Sequence, residues 1–186
     1  MELNQWFEKG LSVQQYIENM KVNEVEMKQI FQSFSLSAEE KERIAHLKEE
    51  GFKVIVLSED WCGDALLNNP ILLKIAEEIN MEVRFILRDQ NLELMDQYLT
   101  NGTSRAIPIF IFINQAGEEL AVWGPRAQQI QEMVNHERSQ LPSQEDPEFK
   151  DKQMAMYKKF KASYLEDSTL WHIVADNIID TISKIK

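Results

Sequence analysis

Cys62 is the residue in this 186-residue chain whose type and position most favour covalent chemistry. It follows residues 54–57, an apolar run typical of a buried strand, and precedes a segment with helical periodicity. A thiol at the start of a helix lies beside unpaired backbone N–H groups and the positive end of the helix dipole, which favour the thiolate. A nucleophilic cysteine is one interpretation of this position, but a free cysteine is more often an inert small apolar residue, so position alone favours the inert interpretation.

Acidic residues close to Cys62 oppose its ionisation. Glu59, Asp60 and Asp64 flank it in sequence, and a carboxylate near a thiolate raises the pKa of the thiol. Because the helix start lowers the same pKa, the sequence does not fix the direction of the net shift. The three acids lack the spacing and turn glycine of a hard-cation loop, so we interpret them as solvated loop charges.

The cysteine and histidine content limits the cofactors to expect. Cys62 is the single cysteine, which excludes an intrachain disulfide and a zinc or iron–sulfur site built from cysteines of one chain. The three histidines have no metal-ligand spacing, and none accompanies Cys62 in sequence. We therefore expect neither a metal nor a cofactor.

The segments that must position Cys62 alternate between strands and helices. Strands are predicted at 54–57, 83–87, 109–113 and 120–123, the last two joined by a turn at 114–117. Helices are predicted within 1–50, at 62–80, after an Asn91 cap, at 126–138, and twice after a connector at 139–149. This order predicts an α/β protein, a mixed sheet flanked by helices. We expect one compact domain with a helical extension at 1–36, a core at 37–140 and a second extension at 141–186.

Four motifs in this region resemble those of thioredoxins. Trp61-Cys62-Gly63 matches the start of the family's Trp-Cys-Gly-Pro-Cys, which opens a helix after a central strand. Pro70 falls where that helix carries a kinking proline, and Ile107-Pro108 resembles a family segment whose proline is cis and faces the nucleophile. A strand, a glycine turn and another strand follow in the family order. The resemblance covers roughly residues 38–138 and implies a thioredoxin-like fold with extra helices at both ends.

The resemblance also implies roles for individual residues. Cys62 would attack a disulfide, Trp61 would shield and shape the site, and the backbone of Ile107 with Pro108 would hold an extended substrate. Such a substrate would be bound by strand addition.

The departures from the thioredoxin motif are as informative as the matches. Ala65 occupies the position of the second, resolving cysteine, and Asp64 that of the proline between the cysteines. Val56 stands where many family members have a buried acid that accepts a proton. Because the resolving thiolate normally releases the client from the mixed disulfide, this chain needs an external thiol for that step.

We therefore expect a monothiol redox protein that uses Cys62 in thiol–disulfide exchange. Its partners would be a protein thiol or disulfide client and a low-molecular-weight thiol. The alternative is a non-catalytic thioredoxin-fold module that binds a peptide or protein in the same groove. Iron–sulfur carriage by a dimer ranks last, because the Cys-Gly-Phe-Ser motif of monothiol glutaredoxins is absent.

The composition excludes some classes of binding partner and indicates the cellular compartment. The net charge of −11 argues against binding to nucleic acid or to an anionic membrane surface. The sequence begins without the basic and apolar regions of a signal peptide and has no apolar stretch approaching a membrane span. A lone cysteine fits a reducing compartment, so we expect a cytoplasmic protein.

Three further interpretations concern the C-terminal helices. The lysines between 150 and 161 are read as a solvated face, and Met154, Met156, Tyr157 and Phe160 as core contacts at helical spacing. His172 and Asp176, four residues apart, are expected to form a surface pair.

Overall fold

Four strands form a mixed sheet at the centre of the molecule. The computed structural model describes residues 1–185 and orders the strands β2-β1-β3-β4. Their bounds are β1 (Lys53–Ser58), β2 (Glu82–Leu87), β3 (Ile109–Ile113) and β4 (Glu119–Trp123). β1 pairs in parallel with β2 and antiparallel with β3, which pairs antiparallel with β4. The predicted α/β thioredoxin-like fold is confirmed.

Helices cover both faces of this sheet. They are α1 (Leu3–Lys9), α2 (Val13–Asn19), α3 (Glu24–Ser33), α4 (Ala38–Ile44), α5 (Gly63–Ile79), α6 (Leu92–Met95), α7 (Gln128–Ser139), α8 (Phe149–Glu166) and α9 (Ser168–Ile182). No helix within residues 1–185 is both long and apolar enough to cross a bilayer. The helix predicted after Asn91 is only four residues long. Asn91 occupies its N-cap position as predicted, but the side chain makes no capping hydrogen bond and donates instead to the carbonyl of Leu87 at 2.8 Å.

The sheet separates two apolar cores, because successive side chains of a strand point to opposite faces. Val54 and Val56 of β1 pack with α5, α8 and α9. Ile55 and Leu57 pack on the other side with α1 and α6. All four are fully buried. β1 is therefore covered on both faces, and this explains its continuous apolar run.

The C-terminal helices differ in part from their predicted contacts. Met156 and Phe160 are buried, whereas Met154 and Tyr157 are 54% and 48% exposed. Tyr157 lies on the side of α8 that faces an open cavity rather than the core.

The predicted pair of His172 and Asp176 is wrong. His172 Nδ1 lies 2.8 Å from a carboxylate oxygen of Glu40, which is almost completely buried. Asp176 accepts from Arg43 of α4 at 2.6 Å. Both partners come from a helix more than a hundred residues earlier in the sequence, so helical spacing alone does not identify them.

Candidate functional site

Cys62 is the N-terminal cap residue of α5 and lies directly after the central strand β1. Its backbone is extended, and its carbonyl accepts the first helical hydrogen bond, from Leu66 at 3.0 Å. The backbone N–H groups of Asp64 and Ala65 lie at the start of the helix close enough to lower the pKa of the thiol, but the side chain makes no capping hydrogen bond. The thiol in turn lies 3.4 Å from the carbonyl oxygen of Ile107, to which it donates.

The environment of Cys62 raises the pKa of its thiol to about 11. Burial is the main cause, because the residue is only 8% exposed, and the carboxylate of Asp64 adds to it. The N–H groups at the helix start and the guanidinium of Arg126 lower the pKa by less. Desolvation and the acidic neighbour thus outweigh the helix dipole, and Cys62 is a neutral thiol at neutral pH.

Asp64 is part of a buried ion pair and is not the solvated charge that the sequence suggested. Its carboxylate lies 2.6 Å from Arg126 Nη2, and each side chain is 14% exposed. The hydroxyl of Tyr164 on α8 donates to the same carboxylate at 3.3 Å. Burial raises the pKa of Asp64, and both partners oppose that shift.

The other two acids near Cys62 are also bound by the protein. Glu59 is 8% exposed and accepts the backbone N–H of Asp89 at 2.8 Å. Asp60 accepts the backbone N–H groups of Lys21 and Val22 at 2.6 and 3.1 Å. The prediction of solvated loop charges is wrong for Asp64 and Glu59, whose partners lie far away in sequence, whereas Asp60 remains partly exposed.

Ile107 and Pro108 lie beside Cys62 and lead into β3. Ile107 is 4% exposed, and the peptide bond that joins it to Pro108 is cis. Within residues 1–185, no backbone group is hydrogen-bonded to the N–H or C=O of Ile107. Trp61 lies at the surface, 49% exposed, with the guanidinium of Arg88 4.9 Å from the centre of its ring.

Ala65 and Val56 occupy two positions where thioredoxins carry reactive groups. Ala65 is 2% exposed and packs in the same core as Cys62 and Ile107. Val56 is completely buried in the core on the opposite face of the sheet. Each position holds an apolar side chain, so neither supplies a second thiol or a proton acceptor.

A cavity of about 510 Å³ opens beside Cys62. Its walls are the loop before α3, the start of α5, and the facing sides of α7 and α8. Its charged lining residues are Asp64, Arg126, Arg138 and Lys161, and its aromatic lining residues are Trp61, Tyr157, Phe160 and Tyr164. The sequence analysis identified Trp61 but missed the others as site residues. The spacing of Tyr157, Phe160, Lys161 and Tyr164, on one side of α8, was the available signal.

The fold and the site together define a thioredoxin-type protein: a Trp-Cys-Gly segment between a central strand and a helix, facing a proline segment before an antiparallel strand. The sequence model of the family described as thioredoxin matches residues 10–142. The chain therefore belongs to the thioredoxin family.

Two solved structures with low sequence identity share this fold over almost the whole chain. A protein of unknown function from Pseudomonas aeruginosa is 16% identical, with a TM-score of 0.65 over 95% of this chain and 98% of that chain. An HIV epitope scaffold is also 16% identical, with a TM-score of 0.68 over 97% of this chain and 98% of that chain. A thioredoxin from Fasciola hepatica is 26% identical over 52% of this chain and 88% of its own, with a TM-score of 0.34. Among curated proteins, none matches this chain with statistical significance.

Proposed function

We propose that this protein carries out monothiol thiol–disulfide exchange through Cys62 and depends on an external thiol for release of its client. The observation that carries this proposal is the position of the Cys62 sulfur. The sulfur lies at the N-terminus of α5, 3.4 Å from the Ile107 carbonyl, and Cys62 is one of the residues that line a cavity. Ala65, buried beside it, has no thiol to offer. The exchange requires a compartment that supplies small thiols, so a cytoplasmic location belongs to the proposal.

The reaction consists of three exchanges that conserve electrons. The thiolate of Cys62 attacks a client disulfide, forms a mixed disulfide and expels the other client sulfur as a thiolate, which takes up the proton lost by Cys62. A small thiolate then attacks the Cys62 sulfur and expels the second client thiolate. A second small thiolate attacks the small-thiol sulfur and regenerates Cys62. Two small thiols are oxidised to their disulfide, and the client disulfide is reduced to a dithiol.

The raised pKa of Cys62 makes the first step slow in the unbound protein. With a pKa of about 11, the thiolate is on the order of one molecule in ten thousand at pH 7. The rate of exchange depends on this fraction, although a thiolate of high pKa is intrinsically more nucleophilic. We expect slow turnover that rises steeply with pH up to the thiol pKa.

The same raised pKa favours a second candidate function, a non-catalytic module that binds an extended peptide. The N–H and C=O of Ile107 have no backbone partner within the described residues, so a bound strand could pair with them. In this candidate Cys62 is a buried apolar contact whose thiol hydrogen-bonds to Ile107.

Turnover of a disulfide substrate in the presence and absence of a small thiol tests the proposal. We expect Cys62-dependent turnover that requires the small thiol, with none from Cys62→Ser. The binding-module candidate predicts that Cys62→Ser binds the client peptide as tightly as the parent and that neither protein turns it over. Strong turnover by the parent without any small thiol would contradict the monothiol proposal.

A further inference from the structure

We propose that the cavity between Cys62 and α8 is the binding site of the external resolving thiol, and that this thiol is a small molecule bearing a carboxylate. The inference rests on the proposed function and adds to it the location and chemical class of the second substrate. Its basis is the position of the cavity relative to Ile107, together with the charges and the size of the cavity.

The cavity lies beside Cys62 but away from the segment of Ile107 and Pro108. Cys62 lines the cavity, whereas Ile107 and Pro108 do not. The cavity therefore opens on a different side of Cys62 from the segment proposed to hold the client. A thiolate attacks a disulfide along the axis of the S–S bond, so that the entering, central and leaving sulfurs are in line. If the client sulfur leaves towards Ile107, the resolving sulfur must approach from elsewhere, and the cavity is the open approach.

The charged side chains that line the cavity are mainly cationic. The protein has a net charge of −11, yet three cations and one carboxylate line this cavity within the described residues. The carboxylate of Asp64 is neutralised by Arg126, and Lys161 pairs with Glu26 at 2.5 Å. Arg138, exposed on the last turn of α7, makes no ion pair within 4 Å among residues 1–185, although its charge lowers the pKa of Asp64 at longer range. A carboxylate on the ligand would supply the partner that Arg138 lacks.

The size and the apolar lining of the cavity suit a small molecule. The volume of about 510 Å³ lies within the range of about 300–1,000 Å³ that is typical of small-molecule sites. Exposed Trp61 and Tyr157 stand at the cavity and offer aromatic surface to the body of a small ligand. A ligand with a thiol, an apolar chain and a carboxylate suits a cavity that both Cys62 and Arg138 line.

Three thiols with the same two-methylene spacer between the sulfur and the polar group test the charge preference: 3-mercaptopropionate, 2-mercaptoethanol and cysteamine. Cys62 is first labelled with 4,4′-dithiodipyridine, and each thiol then releases 4-thiopyridone, which is followed by absorbance. Every rate constant is divided by that for the same label on free N-acetylcysteine amide, which corrects for intrinsic nucleophilicity. We expect the corrected rates to fall in the order carboxylate, hydroxyl, ammonium, and the differences to shrink as salt is added.

Substitution of Arg138 tests whether this residue causes the preference for a thiol that carries a carboxylate. Arg138→Gln should reduce the corrected rate for 3-mercaptopropionate by about threefold to fivefold, the effect of one partly exposed ion pair. The rate for 2-mercaptoethanol should be unchanged. Lys48→Gln removes an exposed charge outside the cavity and should alter neither rate. Equal corrected rates for the three thiols, or equal effects of the two substitutions, would overturn the inference.

A binding measurement keeps this inference separate from the proposed function. The thioether 3-(methylthio)propanoate cannot exchange, and its binding is followed by the NMR shift of the Trp61 indole N–H. We expect a saturable shift that is absent with 2-(methylthio)ethanol and reduced in Arg138→Gln. If disulfide turnover fails but this shift is observed, the cavity assignment stands and the redox proposal falls. If turnover is observed and the shift is absent, the cavity assignment falls alone.

Discussion

Asp64 Oδ2 and Arg126 Nη2 lie 2.6 Å apart in an ion pair in which each side chain is only 14% exposed. The position that carries proline in the thioredoxin motif thus carries half of a largely buried ion pair, two residues from Cys62. The pair connects the start of α5 to the segment that follows β4, and Tyr164 connects it to α8. It also places a carboxylate where it raises the pKa of the Cys62 thiol.

Asp64→Asn should lower the pKa of Cys62, because it removes the carboxylate that adds to the effect of burial and leaves Arg126 in place. The pH dependence of alkylation by iodoacetamide measures this pKa. We expect alkylation near pH 8 to be faster by at least about threefold. Folding should be less stable by about 3–5 kcal/mol, because the substitution removes the carboxylate that balances the charge of Arg126 and leaves the guanidinium bonded to the neutral side chain of Gln131.

Asp60→Asn is the matched control for that substitution. It changes a neighbouring acid whose carboxylate binds the backbone N–H groups of Lys21 and Val22. We expect its effect on the alkylation profile to be smaller than that of Asp64→Asn. Superimposable profiles for Asp64→Asn and the parent would show that Asp64 does not control the thiol.

Stability should fall at alkaline pH through Cys62. The thiol pKa is about 11 in the folded protein, against an ordinary value of 9.0. The unfolded chain therefore loses the thiol proton at lower pH than the folded chain. The protonated Cys62 thiol makes its full contribution to the free energy of unfolding below about pH 8.5, and this contribution is lost as the pH rises towards about 11.

Tyrosines also lose their protons in this pH range and change the stability of both proteins. Comparing urea denaturation of the parent with that of Cys62→Ala therefore isolates the effect of the Cys62 thiol on the free energy of unfolding. We expect the parent to lose about 2–3 kcal/mol more than Cys62→Ala between these limits. A constant difference in unfolding free energy between the two proteins would mean that the thiol has the same pKa in the folded and unfolded chains.

Ala65→Cys should restore a resolving thiol. Ala65 packs in the same core as Cys62 and lies in the first turn of the helix that Cys62 caps. We expect a disulfide between residues 62 and 65 and measurable turnover with a protein reductase alone. The substitution adds one sulfur atom to a packed site, at a cost of about 1–3 kcal/mol.

The control for Ala65→Cys is the double variant that also carries Cys62→Ser, which should turn nothing over. An Ala65→Cys protein that forms the disulfide and still fails to reduce a client would favour the peptide-binding function. The absence of an acid at Val56 and the presence of Asp64 should keep turnover slower than in a protein with the complete motif.

Local sequence patterns were enough to predict the fold and the backbone of the site. The continuous apolar runs of β1 and β3 predicted buried strands, and Trp61-Cys62-Gly63 and Pro70 predicted the start and the interior of α5. These features depend on residues close together in the chain, so a single sequence contains them.

The electrostatics of the site could not be predicted in the same way. Asp64 looks like a loop charge until Arg126 and Tyr164, from distant segments, are placed against it. The burial of Cys62 depends likewise on Ile107, which the fold brings within 3.4 Å. The cavity walls formed by α7 and α8 depend on how these helices pack in the fold. In the sequence, only the aromatic spacing along α8 indicated that one side of this helix lines a site.

The most direct test of monothiol exchange is the mass of the protein during reaction. The reduced protein is mixed with a disulfide-linked peptide, quenched with acid, and analysed by intact mass and peptide mapping. We predict a mixed disulfide on Cys62 that accumulates without small thiol, disappears when small thiol is added, and never forms on Cys62→Ser. A protein that carries no adduct on Cys62 after prolonged incubation above about pH 9, where the thiolate is more abundant, would contradict the account.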